Sequence, residues 1–275
     1  VFNSDKNKLE SLATNNTENK LFLSTATTWN YDKTKDAFLW FSTAIDTYDS
    51  FNEIADKDLI DYSNDDESLK TFSLKLLKEA DILIKDITVN YEEKEIDSTM
   101  VDMFIPPLAR NGKKYKIKNV NIEVEHEVVD NNNNRHIYKL NFNEESSGTR
   151  VLFAFAPFLK RAFENTKIII VDELEKSMHP SLVKFIVKLF NNENINKANS
   201  QLIFTTHATN LLDLELLRRD QIWFTEKNPD NGVSELYPLD SFSVRKDENI
   251  SKGYINGRYG AIPFIKDIDV WLEDK

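Results

Sequence analysis

The sequence predicts an α/β domain with a mostly parallel sheet flanked by helices, extended by a β-hairpin and a helical insertion. Three observations lead there. Two short β-branched runs, Lys167–Val171 (KIIIV) and Gln201–Thr206 (QLIFTT), each precede a helical stretch, the spacing of strands that pair in parallel through helical crossovers. A long alternating segment, Lys114–Val129, returns as Arg135–Phe142 after four consecutive asparagines, Asn131–Asn134. That is a hairpin pattern, because Asn tolerates left-handed backbone angles. The chain has 275 residues, 40% of them hydrophobic, enough for one large domain, or one domain with a sizeable insertion, around a real core.

The elements follow in order. The first 30 residues end in LFLSTATTWN, an apolar burst before the turn-like NYDK. Asp36–Tyr48 (DAFLWFSTAIDTY) has apolar residues at helical spacing, whereas Asp56–Asp66 (DKDLIDYSNDD) is acidic and polar and reads as a loop. Glu67–Ala80 sets Leu69, Phe72, Leu76 and Ala80 on one face of an amphipathic helix, and Ile87, Val89 and Tyr91 alternate as in a strand. Residues 1–110 are therefore expected to form a mostly helical lobe, and residues 111–275 the sheet-bearing part. Arg150–Glu164 is a dense apolar helix interrupted by Pro157, which should kink it or leave a backbone bond unmade. Pro180–Phe190 is a helix with Pro180 in its first turn. Leu211–Arg219 reads as a further helix and Gln221–Glu226 (QIWFTE) as a third strand.

Charge and composition restrict the function. Charged residues make up 29% and the net charge is −11, which suits a solvated surface and argues against binding DNA over the whole surface. The local basic stretches, Arg110–Lys118 and the pair Arg218 and Arg219, read as a solvated hairpin and a helix end, with a local nucleic-acid contact as the less favoured alternative. No apolar run reaches the roughly 18 residues that span a bilayer, so no membrane partner is expected. The opening VFNSDKNKLE is too polar for a signal peptide, and with no Cys there is neither a disulfide framework nor a Cys-ligated metal. A cytoplasmic protein is expected.

Three elements carry chemistry. The apolar strand Lys167–Val171 runs directly into Asp172 and Glu173. Ligands of open α/β sheets lie beyond the carboxyl ends of the strands, and two adjacent carboxylates there point to opposite sides. One can hold Mg²⁺ while the other faces an attacking water; two solvated acids at an ordinary strand end would look the same. The strand Gln201–Thr206 ends in His207, which can hydrogen-bond a terminal phosphate or serve as a simple cap. The third element is Glu145-Ser146-Ser147-Gly148-Thr149-Arg150, at the start of the Pro157 helix. A helix N-terminus attracts phosphate, and Ser and Gly let its backbone approach closely. A plain N-cap fits the same residues and is compatible with an anion site.

In order and spacing, these elements resemble the ABC-ATPase superfamily. ESSGT is similar to the signature LSGGQ, IIIVDE to Walker B with its glutamate, EKSMHP to the D-loop and TTH to the switch-histidine segment. The spelling from Glu144 to Ile265 resembles the OLD/RecF-like ATP-binding proteins, and within them the AAA/ABC-like ATPases of abortive-infection and other phage-defence systems. The resemblance implies ATP and Mg²⁺ as cofactors. It implies that Asp172 holds the Mg²⁺ sphere, Glu173 positions or deprotonates the hydrolytic water, and His207 contacts the γ-phosphate. Ser146, Ser147, Gly148 and Thr149 would bind ATP held by a second subunit, with Ser177 and His179 along the dimer interface. Glu145 departs from the Leu of LSGGQ and Ser147 from its first Gly.

The phosphate-cradling motif G-x-x-x-x-G-K-[ST] occurs nowhere in the chain, whose first residue is Val1. The resemblance places that loop ahead of every segment seen here, and the expectation is that it precedes residue 1. No G-x-S-x-G, H-E-x-x-H or EF-hand loop competes, and Asp267 and Asp269 read as solvated charge. The expected function is an ATP-driven homo-oligomeric switch, two heads enclosing two ATPs. Its expected partner is a nuclease or toxin effector, of Toprim type among others, in antiviral defence. The alternatives are a non-hydrolysing scaffold and a DNA-repair head of RecF type.

Overall fold

The structure is a computed structural model and describes residues 5–48, 56–64, 66–95, 116–245 and 247–263. Three short helices come first, α1 (Lys6–Thr14), α2 (Phe22–Thr28) and α3 (Lys35–Ala44); the first two pack around buried Leu12, Ala26 and Tyr31, and α3 has no buried residue. α3 runs without a loop into strand β1 (Ile45–Tyr48). Then come α4 (Asp56–Ser63), α5 (Glu67–Glu79) and three antiparallel strands, β2 (Asp86–Glu95), β3 (Lys116–Val129) and β4 (Arg135–Asn141), paired in the order β2-β3-β4. α6 (Ser147–Glu164), β5 (Ile168–Val171), α7 (Pro180–Asn191) and β6 (Gln201–Phe204) follow. A small antiparallel pair, β7 (Trp223–Lys227) and β8 (Ser234–Pro238), and the short α8 (Ile250–Ile255) complete the described chain.

The parallel sheet has the order β1-β5-β6, with Ile169 opposite both Asp46 and Leu202. The α/β class with a parallel sheet and an antiparallel hairpin is the one expected. Alternation gives the sheet two unlike faces. Ile169 and Val171 are buried, and their neighbours Leu202 and Phe204 pack on the same core. That core joins α6 (Leu152, Phe155, Leu159), α7 (Val183, Ile186), α5 (Leu76, Leu77) and Ile87, Val89 and Val124 of the antiparallel sheet. Ile203, on the other face, is 52% exposed. α6 continues through Pro157, which cannot donate to the carbonyl four residues back. The asparagine turn forms as expected, with Asn133 at φ 63 and Asp130 accepting the N–H groups of Asn132 and Asn134.

Four expectations need correction. Ile45–Tyr48 is not the end of a helix but a strand, fixed by its register with β5. Asp56–Ser63 is not a loop but a helix, held by the buried Asp58 pairing with Arg161 of α6. Leu211–Arg219 is not a helix: 3₁₀ turns at Thr209–Leu211 and Arg219–Gln221 flank a turn in which Asp213 accepts the N–H of Glu215. The strand predicted at Gln221–Glu226 forms as β7, but it pairs with β8 in a separate sheet. Most of Arg110–Lys118, and Asp267 and Asp269, lie outside the described residues. No described helix is long and apolar enough to cross a membrane.

Candidate functional site

β5 and β6 end side by side, and the residues after them are laced together. Thr205 N donates to Val171 O at 3.0 Å, extending the pairing one residue beyond β6. The Thr205 hydroxyl donates to Asp172 Oδ1 at 2.5 Å and accepts from Glu173 N at 2.8 Å. Leu174 N donates to Thr205 O at 3.1 Å, and Asp172 N to Tyr48 O at 2.9 Å, so all three strand ends are joined. His207 N donates to Glu175 Oε1 at 2.6 Å, tying the loop after β6 to the loop after β5. The result sets His207 Nε2 3.6 Å from Glu173 Oε1, with side chains 85% and 48% exposed respectively. Asp172, Glu173 and His207 thus converge on one accessible surface.

Backbone conformation at this turn is unusual. Glu173 has φ 52 and Ser177 φ 60, the left-handed region that costs of order 1–3 kcal/mol for such residues. The bonds from Thr205 to both the side chain of Asp172 and the N–H of Glu173 hold the first of these in place.

The second group of predicted residues lies at the start of α6. Ser146 is its N-cap: its Oγ accepts Thr149 N at 3.1 Å and meets Thr149 Oγ1 at 2.8 Å. Ser147 and Gly148 are the first two helical residues. A Cβ built on Gly148 would meet Leu182 Cδ1 at 3.6 Å and Ser177 O at 3.7 Å, so the helix start lies against the loop that follows Glu173. His179 caps α7, its Nδ1 accepting Ser181 N at 3.2 Å, with Pro180 in the first turn. The acceptor role puts the ring proton on Nε2.

Apart from His179, which caps α7, the predicted residues fall into two groups, Asp172, Glu173 and His207 at the strand ends, and Ser146–Thr149 with Ser177 beside them. No hydrogen bond or ion pair among the described residues joins one group directly to the other. Sequence reasoning does not single out Thr205 or Glu175. The pair of threonines between an apolar strand and a histidine is the signal for the first; Glu175 has none beyond its place three residues after Asp172. Its Oε2 is buried without a hydrogen-bond partner.

Behind the site, Arg161 of α6 pairs with Asp58 and hydrogen-bonds the hydroxyl of Tyr48, the last residue of β1. Burial pushes the Tyr48 hydroxyl well above its ordinary range and Asp46 adds to this, while Arg161 pulls the other way.

No curated protein matches the chain. Residues 3–213, well over half of it, match the family described as "AAA domain, putative AbiEii toxin, Type IV TA system". The parallel α/β sheet is the architecture such a domain needs, and the chain belongs to this family of AAA domains, nucleotide-binding domains of ATPase type.

Proposed function

We propose that the chain is the larger part of an ABC-type switch that binds and hydrolyses ATP, dimerises on ATP and controls an effector in antiviral defence. The observation that carries this reading is the lacing of the strand ends, in which Thr205 holds Asp172 and Glu173 while His207 stands 3.6 Å from Glu173. In this reading Asp172 belongs to the Mg²⁺ sphere. Its Oδ1 is held by Thr205, and Oδ2 has no hydrogen-bond partner among the described residues. No described group of three or more His, Asp or Glu could hold a metal alone. Mg²⁺ is usually held by one or two carboxylates, with phosphate oxygens and water completing the shell, and Asp172 would supply one of those carboxylates. When bound, Mg²⁺ supplies neutralisation of phosphate charge.

Glu173 orients and deprotonates the attacking water, and His207 contacts the terminal phosphate. Ser146 and Gly148 contact the γ-phosphate of ATP on a second subunit, Ser147 and Thr149 complete that ATP-binding segment, and Ser177 and His179 lie along the interface. The G-x-x-x-x-G-K-[ST] motif is absent from these residues, so the reading requires a phosphate loop from outside this sequence. β6 is at the edge of the described parallel sheet, so one more parallel strand can pair there. The toxin and type IV toxin–antitoxin words of the family description support an effector partner.

The test is Glu173→Gln in the complete protein, phosphate loop included. The amide keeps the shape but cannot take a proton. ATP binding should persist while hydrolysis falls about 10²–10⁴-fold. Turnover at the parental rate would remove Glu173 from the chemistry, and a parental protein without turnover would favour the scaffold reading.

A further inference from the structure

The segment Glu145–Thr149 begins with an acid, directly before the N-cap of α6. Within that first turn, Thr149 N is taken by Ser146 Oγ and Arg150 N by Ser146 O. Ser147 N and Gly148 N have no hydrogen-bond partner among the described residues. A free carboxylate beside them would occupy those N–H groups or repel an incoming anion.

The Glu145 carboxylate is held elsewhere. Its Oε1 accepts from His126 Nε2 at 2.6 Å, and its side chain is only 9% exposed. His126 is on β3, the central strand of the antiparallel sheet, and its Nδ1 lies 3.2 Å from Leu83 O. The ring thus bridges Leu83 O and the Glu145 carboxyl group, and it fixes that side chain against the antiparallel sheet.

We propose that His126 is a positioning residue for the Ser146–Thr149 segment. By hydrogen-bonding the Glu145 carboxyl group it holds that side chain off the helix start and so leaves the Ser147 and Gly148 amides open to a phosphate group. This rests on the reading of that segment as a phosphate contact. It also gives a physical reason why an acid is tolerated where the related signature has Leu.

The experiment uses the 275-residue chain and inorganic phosphate, followed by the amide NMR shifts of Ser147 and Gly148. His126→Ala should weaken phosphate binding about two- to fivefold, the effect of one charge released at a helix terminus. His126→Ala combined with Glu145→Gln should restore the wild-type affinity, because the released group no longer carries charge. Glu145→Gln alone leaves the N–H groups open and should bind no more weakly than wild type, which keeps the test decisive if His126→Ala fails to fold. A purely architectural role for His126 predicts the opposite of rescue, the double variant binding as weakly as the single, and that result overturns the proposal. So does His126→Ala binding as tightly as wild type, or Glu145→Gln binding more weakly. If phosphate shifts neither amide in the wild-type chain, the phosphate-contact reading falls as well, which separates the two failures.

Discussion

Arg161→Leu should destabilise the fold by about 3 kcal/mol, and the reason lies in Asp58. That carboxylate is 1% exposed; its Oδ1 accepts from Arg161 Nη1, and its Oδ2 already lacks a partner. Removing the guanidinium leaves a buried charge with neither oxygen bonded. Breaking a buried pair from one side costs about 3–5 kcal/mol. Arg161 is 33% exposed, so water can reach part of the vacated space, and the lower end applies. Arg161 also lies 4.6 Å over the Phe158 ring, a contact of about 0.5–1 kcal/mol at such a site. Urea unfolding of the purified chain, followed by Trp fluorescence, measures the loss. With a slope of about 3 kcal/mol per molar, the midpoint should fall by about 1 M. Asp58→Asn in the same chain removes the stranded charge, so the double variant should recover at least half of the loss. A wild-type midpoint for Arg161→Leu would refute the reasoning, as would a double variant no better than the single.

Two further outcomes test other parts of the molecule. Gly148→Asp should leave folding intact, because its Cβ meets nothing closer than 3.6 Å and an acid in the first helical turn is favourable, whereas ATP-driven association of the complete protein should be lost; sedimentation with ATP and Mg²⁺ decides, and wild-type-like dimers would reduce ESSGT to a helix cap. At the hairpin turn, Asp130 is held below the ordinary carboxylate value, first by the Asn134 N–H and then by His136. A depressed folded value means that the stabilisation is complete above the unfolded value and is lost as pH falls through the folded one. Amide protection at Asn132 and Asn134 should therefore hold down to about pH 4 and decline below it; protection that persists in stronger acid would show that the carboxylate is not what holds the turn.

What the sequence made legible is what local chemistry dictates. The β-branched run into Asp172 and Glu173, the four asparagines, a serine cap before α6, which falls on Ser146 rather than Ser147, and Pro180 in a first turn each act through neighbours in the chain, and each is found where expected. Ile45–Tyr48 was not legible as a strand, because four residues at the end of a helical pattern become one only when β5 lies alongside. Nor was Asp56–Ser63 as a helix, since its acidic composition gives no hint of Arg161, 103 residues away, which takes up its buried charge. At the candidate site, the place of the carboxylates and the histidine at the ends of neighbouring strands could be read from the sequence. Thr205, which bonds the first two, and Glu175, which holds the backbone of the third, could not, because both act across the gap between β5 and β6. The same limit explains Glu145. In the sequence it is a departure from a motif, and only the fold brings in His126, 19 residues earlier on the antiparallel sheet, as its partner. The residues that carry charge to a site are thus visible in a single sequence when they lie at element ends, whereas the residues that aim or offset those charges come from other elements and emerge only with the pairing of the strands.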